Sequence, residues 1–394
     1  MSWNVASRPL RVVLIAGEHS GDALGAKLMQ GLKAATDGNV TFSGVGGEAM
    51  AAQGFNSLFP LDDVAVMGLV AILRRLPLII RRVHEAVDAA IAANPDVLVI
   101  IDSPEFTHAI AKRVRRRAPQ LPIINYVSPS VWAWRPWRAR AMRPYVDHVM
   151  ALLPFEPAAH ERLGGPPCTY VGHPLIERLD EIRSADAAEL AARLRITDKA
   201  VIVVLPGSRR SEVERLMQPF GEALERLRLR GHAFEIVLPA VTSVRALIEE
   251  KARAWPLIPH LVHGESDKLA AFRLARAALA ASGTVTLELG LAGTPAVVAY
   301  RVDGAAAQLR FLLKVSSVVL TNLVAGKQVY PEYLQDDCTP EKLATALAAL
   351  LEDTPERAAQ LRDLSEIPQK MAIPGDSPSD AAARVVLRHA PLPA

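Results

Sequence analysis

The sequence predicts an α/β protein built from two doubly wound, Rossmann-like domains that face a central cleft. Three observations predict this fold. The chain has 394 residues, which is too long for one compact core. Half of the residues are hydrophobic, which indicates large buried surfaces. Short apolar runs alternate with helical stretches in two successive series, as in parallel sheets that are covered on both faces.

Each apolar run predicts one buried strand. In the first series the runs lie at 11–18, 97–102, 123–127 and 148–153, with helices predicted between them, for example over 105–117 and 136–146. In the second series they lie at 200–208, 234–240, 278–284 and 295–300. A turn-forming Gly–His–Pro within 170–179 marks the boundary between the series. We therefore predict domains over 1–175 and 176–375 and a tail over 376–394, whose return to the first domain is left open.

Composition excludes several classes of protein. Lys and Arg exceed Asp and Glu by only 45 to 42, which is too close to balance to indicate nucleic-acid binding. Two distant cysteines and ten scattered histidines predict neither a disulfide framework nor a metal site. No run approaches the roughly 20 apolar residues of a membrane span. The glycine-rich loops at 16–28 and 44–50 lack the G-x-G-x-x-G spacing, so we expect no nicotinamide or flavin cofactor.

Two turns of the second series are predicted to bind a diphosphate. The loop at 206–210 ends a strand and opens a helix, where amide groups and arginine side chains favour an anion. The turn at 282–284 does the same, and Glu288 one turn later can accept hydrogen bonds from two ribose hydroxyls. The alternative is an ordinary strand-to-helix turn with solvated side chains. The candidate residues are Gly207, Ser208, Arg209, Ser282, Gly283, Thr284 and Glu288.

The first series offers a candidate general base. Asp102 follows a buried strand directly, at the edge of a sheet where catalytic side chains are usually displayed. The alternative is a helix-capping or turn aspartate. The polar loop at 16–28 is predicted to bind a polar substrate through hydrogen-bond donors and acceptors. These are Glu18, His19, Ser20 and Asp22.

Two further stretches combine apolar and basic residues. The stretch at 64–87 is apolar but broken by arginine pairs, which suits contact with an anionic lipid surface. An interior helix with snorkelling arginines is the alternative. The stretch at 126–147 mixes tryptophan and arginine, which fits a lipid headgroup, nucleic acid or plain packing. The candidate contact residues are Met67, Leu69, Arg74, Arg75, Arg81, Arg82, Trp134 and Arg135.

Eight motifs in order carry a resemblance to a known family. They are "AGEHSGD", "GVGGEAM", "IDSPEF", "YVSPSVWAWR", "VGHPL", "LPGSR", "ASGTVTLELGLAGTP" and "LTNLVAGKQVYPEYLQ". Together they make residues 10–340 resemble the lipid-A-disaccharide synthases, which are inverting glycosyltransferases of GT-B fold in lipid A (lipopolysaccharide) biosynthesis.

The resemblance implies a reaction and a place for it. UDP-2,3-diacylglucosamine would donate its sugar to 2,3-diacylglucosamine 1-phosphate, without a cofactor or metal, on the cytoplasmic face of the inner membrane. The enzyme would be peripheral there, and a homodimer is left open. UDP would bind the second domain, where Asn322 and Gln335 orient the donor or the closing cleft. Asp102 would be the first choice of base, and Glu18 and His19 would be the second choices.

Two other functions remain open at this point. A UDP-N-acetylglucosamine 2-epimerase on the same fold would need no apolar acceptor surface. A nucleotide-sugar-binding protein without catalysis would not need a carboxylate at Asp102. Release of UDP that depends on the acylated acceptor distinguishes the glycosyltransferase from both.

Overall fold

The two predicted parallel sheets are both present, and the predicted α/β fold class is confirmed. A computed structural model describes residues 8–65, 69–302 and 317–390, and within 69–73 the main chain alone. The chain divides into two compact units. The first contains the residues up to Pro174 together with those from Ile373 onward, and the second spans Leu175–Ala372. No helix within the described ranges is long and apolar enough to cross a membrane.

Strands and helices alternate along both units. The strands are β1 (Leu10–Ala16), β2 (Val40–Val45), β3 (Val97–Ile101), β4 (Ile123–Tyr126), β5 (His148–Ala151), β6 (Cys168–Tyr170), β7 (Ala200–Leu205), β8 (Phe234–Pro239), β9 (His260–Val262), β10 (Ala277–Ala281), β11 (Ala296–Tyr300) and β12 (Glu332–Leu334). The helices are α1 (His19–Ala35), α2 (Glu48–Ala51), α3 (Leu69–Ala92), α4 (Pro104–Arg117), α5 (Trp137–Met142), α6 (Glu156–Arg162), α7 (Leu179–Ser184), α8 (Ala187–Leu194), α9 (Arg210–Leu229), α10 (Arg245–Ala252), α11 (Glu265–Leu274), α12 (Val285–Ala292), α13 (Leu320–Ala325), α14 (Pro340–Leu351), α15 (Pro355–Ser365), α16 (Ile367–Met371) and α17 (Pro378–His389).

Both faces of the first sheet are covered by helices. Its strand order is β2-β1-β3-β4-β5-β6, and all of its pairings are parallel. Val12 and Leu14 point into one core cluster, which they share with residues of α1 and α17. Val13 and Ile15 point into another, which they share with residues of α3 and α4. Because successive strand residues face opposite sides, this alternation explains why the run is apolar at every position.

The carboxyl-terminal helix α17 packs closely against α1. Ala382 and Val386 of α17 are buried in the same cluster as Leu28 and Leu32 of α1. A Cβ added to Gly31 would lie 2.6 Å from the carbonyl oxygen of Ser379, so the two backbones touch at a position that only glycine allows. The tail therefore completes the hydrophobic core of the first unit.

The second sheet repeats the plan of the first. Its order is β12-β11-β10-β7-β8-β9, again with parallel pairings. Ile202 and Val204 of β7 pack in one cluster with Leu216 and Phe220 of α9. The sequence does not predict the four edge strands β2, β6, β9 and β12.

Each sheet has one switch point. From β1 the chain adds β2 on one side and β3 on the other; from β7 it adds β8 and β9 on one side and β10 on the other. At such a point the loops after the two central strands diverge and leave a crevice at their carboxyl ends, where ligands bind in open α/β sheets. Candidate sites are therefore expected after β1 and β3 and after β7 and β10.

Candidate functional site

A cavity of about 530 Å³ lies at the switch point of the second sheet. The turn after β7 opens α9, the turn after β10 opens α12, and both turns line the cavity. The structure thus brings the two predicted anion-binding turns and the predicted ribose-binding carboxylate into one wall. The predicted residues that line the cavity are Gly207, Ser208, Arg209, Ser282, Gly283, Thr284 and Glu288.

The start of α12 offers unoccupied amide groups to this cavity. Among the described residues, none accepts a hydrogen bond from the backbone amides of Gly283 and Thr284. A Cβ built on Gly283 would meet no heavy atom within 4 Å, so a ligand can approach the main chain closely. Ser282 differs, because its Oγ donates to the carbonyl oxygen of Val318 at 2.6 Å. The partial positive charge of the helix start favours an anion beside Gly283 and Thr284.

The start of α9 already holds an anion of the protein itself. The amides of Ser208 and Arg209 donate to Oε2 of Glu212 at 3.1 and 3.2 Å, and the Tyr300 hydroxyl donates to Oε1 at 3.2 Å. Gly207 has a φ of +111°, and a Cβ there would lie 2.4 Å from the same carboxylate. Two of the amides that the sequence predicts to favour an anion are therefore already occupied by a carboxylate of the protein. The Arg209 guanidinium contacts Glu212 at 3.1 Å but is 63% exposed, so it can still donate to a ligand.

Glu288 has a cation beside it. Its two carboxylate oxygens accept from Nζ of Lys268 at 3.2 and 3.0 Å, and Nζ also lies 2.9 Å from Glu265. Sequence reasoning did not single out Lys268 or the other cavity residues that follow β8 and β9. Their position directly after two parallel strands is the signal that could have found them. These further lining residues include Thr242, Arg245, His263, Glu265 and Lys268.

Asn322 and Gln335, which are predicted to orient the donor or the closing cleft, do not line the cavity. Asn322 is buried; its Oδ1 accepts from the amides of Val329 and Tyr330 at 2.9 and 2.8 Å, and its Nδ2 donates to Glu332 Oε1 at 2.8 Å. Oε1 of Gln335 accepts from a backbone amide as well, that of Val302, at 2.8 Å. Both side chains fix the main chain around β12, so any effect of theirs on a donor is indirect.

Asp102 lies at the switch point of the first sheet, directly after β3. Its Oδ2 accepts from the hydroxyl of Ser20 at 2.9 Å, and its Oδ1 accepts from the amide of Ser103 at 2.8 Å. Asp102 and Ser103 have φ values of +56° and +43°, in the left-handed region that non-glycine residues rarely adopt. Strained conformations of this kind concentrate at functional sites. The structure thus brings the predicted base and the predicted Ser20 together.

Asp22 has a structural role and not the predicted substrate contact. The side chain is buried, with Oδ1 accepting from the amides of Gly47 and Met50 at 2.7 and 3.1 Å. Its Oδ2 accepts from the amide of Ala49 at 2.8 Å, so the carboxylate caps the start of α2. Glu18 and His19, in contrast, are exposed at the start of α1.

The predicted arginines of α3 divide into two groups. Arg82 is engaged within the fold: its guanidinium lies 2.6 Å from Asp63 and 2.6 Å from Glu85, and 4.7 Å from the ring of Phe59. Its predicted contact with lipid is therefore wrong. Arg75 is exposed and donates to a backbone carbonyl. Arg74 and Arg81 are exposed, and no acid of the described ranges forms an ion pair with either.

Two other predicted contacts are described in part or not at all. Met67 lies outside the described residues, and of Leu69 the main chain alone is described.

Arg135 stacks on Trp134, with its guanidinium 4.6 Å from the ring centroid. This cation–π contact accounts for one pair of the tryptophan–arginine stretch without any ligand.

Comparison with known proteins gives a family. The family model described as lipid-A-disaccharide synthetase matches residues 12–378. The lipid-A-disaccharide synthase of Rhodopseudomonas palustris (strain HaA2) is 53% identical over 378 residues, which cover 96% of this chain and 95% of that protein. Its counterpart in Nitrobacter hamburgensis is 52% identical over 383 residues, which cover 97% and 96%.

Two solved structures share the fold of this chain at low sequence identity. UDP-GlcNAc 2-epimerase from Neisseria meningitidis, bound to UDP-GlcNAc, aligns with a TM-score of 0.65 at 12% identity over 96% of this chain and 99% of that one. Acinetobacter baumannii MurG aligns with a TM-score of 0.59 at 14% identity over 96% and 100%. These likenesses confirm the predicted GT-B type of fold. At such low identity they do not support the epimerase alternative, whereas the sequence relatives confirm the predicted glycosyltransferase class. The chain belongs to the lipid-A-disaccharide synthetase family.

Proposed function

We propose that this chain transfers the sugar of UDP-2,3-diacylglucosamine to the 6-hydroxyl of 2,3-diacylglucosamine 1-phosphate. The hydroxyl oxygen bonds to the anomeric carbon while the bond from that carbon to UDP breaks, and the hydroxyl proton passes to a base. The products are the β-1,6-linked disaccharide 1-phosphate and UDP. Membership of the family supports the reaction. The structural observation that supports the reaction in this chain is one cavity, which combines an open helix start, a guanidinium and a carboxylate.

The donor nucleotide is assigned to that cavity. Its diphosphate lies at the start of α12, where the amides of Gly283 and Thr284 have no acceptor among the described residues. Arg209 donates to the same diphosphate, and Glu288 accepts from the ribose hydroxyls. As the bond to the sugar breaks, negative charge grows on the diphosphate. Preorganised amides and a guanidinium are suited to stabilise this charge, which makes them the leaving-group site.

Asp102 is assigned as the general base. Hydrogen bonds from Ser20 and from the Ser103 amide fix the orientation of its carboxylate. A base held in this way contributes about 10²–10⁴-fold to a rate when it accepts the proton of an attacking hydroxyl. The exposed Glu18 and His19, at the start of α1, are the alternative bases.

The acylated substrates require access from a lipid surface, and the amino-terminal part of α3 is assigned to it. Arg74, Arg75 and Arg81 are exposed there, together with the apolar side chains of Leu76 and Ile80. Exposed apolar residues between cations suit the boundary of an anionic membrane, such as the cytoplasmic face of the inner membrane.

UDP release tests the proposal directly. The purified protein is incubated with UDP-2,3-diacylglucosamine, with and without 2,3-diacylglucosamine 1-phosphate, and UDP is quantified. We expect UDP release and a tetraacyl disaccharide phosphate only with both substrates present. Release without the acceptor, conversion of UDP-N-acetylglucosamine to its 2-epimer, or binding without turnover would each contradict the proposal.

A further inference from the structure

Lys268 lies in the cavity wall between two carboxylates. Its Nζ is 2.9 Å from Oε2 of Glu265 and 3.0 and 3.2 Å from the two carboxylate oxygens of Glu288. These contacts use the three hydrogens that an ammonium group can donate. The side chains of Lys268 and Glu288 are only 19% and 13% exposed, so solvent screens the contact weakly. The charge of Lys268 is therefore committed to the two carboxylates and not to an anion in the cavity.

Glu265 is itself held from a second side. Its Oε1 lies 2.9 Å from Nη1 of Arg178, whose Nε and Nη2 donate to Glu181 at 2.7 and 2.9 Å. Burial acts to raise the pKa of Glu265, but the hydrogen bonds and charges of Lys268 and Arg178 outweigh it and lower the pKa. Glu265 thus stays ionised and gives Lys268 a fixed partner other than Glu288.

We propose that Lys268 is a positioning residue for the donor, which orients the Glu288 carboxylate toward the ribose hydroxyls of UDP. The inference rests on the proposed function, which assigns the ribose to Glu288. A carboxylate offers about four lone-pair sites, and Lys268 takes one on each oxygen, which leaves one on each for the two ribose hydroxyls. Without the ammonium group, Glu265 and Glu288 repel each other, and Glu288 turns away from the ribose.

Discrimination between UDP and 2′-deoxy-UDP measures the orientation of Glu288. The two nucleotides differ by one hydroxyl that Glu288 would bind, and a hydrogen bond to a charged group corresponds to about 10–100-fold in affinity. By isothermal titration calorimetry we expect the unaltered protein to prefer UDP by such a factor. Lys268→Met should lower the preference to near one. In kinetics, the same variant should raise KM for the donor while kcat is retained.

A double-mutant cycle shows whether Lys268 acts through Glu288. Lys268→Met should reduce UDP affinity in the unaltered background but have little effect on top of Glu288→Gln, because the group it positions is already changed. Lys327→Met is the matched control. Nζ of Lys327 also pairs with a carboxylate, that of Asp363 at 2.7 Å, but neither residue lines the cavity. This control should leave the preference for UDP unchanged.

The possible outcomes separate the two proposals. An unchanged preference in Lys268→Met, or an equal loss of affinity for both nucleotides, would overturn the positioning role. Additive effects in the double-mutant cycle would overturn it as well. Failure of the unaltered protein to bind UDP would instead refute the proposed function. If Lys268→Met does not fold, Lys268→Gln, which keeps a hydrogen-bond donor but no charge, is measured in its place and should lose the preference in the same way.

Discussion

Replacement of Asp102 by asparagine tests the proposed base with little disturbance of the backbone. Asp102 has a φ of +56°, which asparagine tolerates better than most residues. Asparagine keeps an oxygen that can accept from Ser20 or from the Ser103 amide, but it cannot take up the proton of the acceptor hydroxyl. A positioned base contributes about 10²–10⁴-fold, or about 3–5 kcal/mol of activation free energy, so we expect kcat to fall by that factor. Initial rates of UDP release at saturating substrates measure the effect.

Nucleotide binding and backbone strain provide the controls for this experiment. The proposed UDP contacts all lie in the Leu175–Ala372 unit, so the Kd for UDP should be the same in Asp102→Asn and in the unaltered protein. Asp102→Ala should also lose about 1–2 kcal/mol of stability, because alanine is strained in the left-handed region. Asn94→Ala, at a φ of +43° outside the site, measures that loss alone. Full activity of Asp102→Asn would refute the assignment, and a parallel loss of UDP binding would make the residue structural.

Four further predictions concern the leaving group, metal dependence, the lipid surface and pH. Arg209→Ala should weaken UDP binding and lower turnover by about 10–100-fold, the value of a hydrogen bond to a charged group, and unchanged kinetics would remove Arg209 from the site. Activity should persist in EDTA, because amides and a guanidinium stabilise the leaving group in the proposed mechanism; a strict requirement for a divalent cation would contradict it. Joint replacement of Arg74 and Arg81 by glutamine should weaken binding to phosphatidylserine vesicles, measured by co-sedimentation, by about 2 kcal/mol. Arg82→Gln should leave this binding unchanged, because the charge of Arg82 is already paired within the fold. Burial raises the pKa of Glu156 from 4.5 to about 7 in the folded protein. The folded state therefore holds this proton more tightly, and the free energy of unfolding should fall by about 3 kcal/mol as the pH rises through that window. Urea denaturation should show that Glu156→Gln removes this decrease.

The sequence predicts the inner strands of both sheets and misses the edges, and the reason is burial. Every residue of β3 is buried, so its apolar run is continuous and easily recognised. The four strands that were not predicted, β2, β6, β9 and β12, are the four ends of the two sheets. All residues of β6 and β12 are half-buried. A strand of three partly solvated residues carries no apolar pattern that distinguishes it from a loop.

The candidate site is predictable where it depends on strand order and unpredictable where it depends on side-chain partners. The turns around Gly207 and Gly283 follow inner strands, so the sequence places them at one sheet edge. Lys268 was missed because the strand before it, β9, is an edge strand. Asp22 and Glu212 show the second limit. Sequence does not distinguish a carboxylate that meets a ligand from one that accepts amides of its own fold, and both of these do the latter.

The packing of α17 on α1 has a consequence for how the protein is made. A ribosome synthesises the sheet of the first unit early, but residues 378–389, which cover its α1 side, emerge only after all of Leu175–Ala372. Until then the core of the first unit is incomplete, because Leu28 and Leu32 of α1 have no α17 to pack against. Loss or displacement of residues 378–389 will therefore first destabilise the unit that contains Asp102.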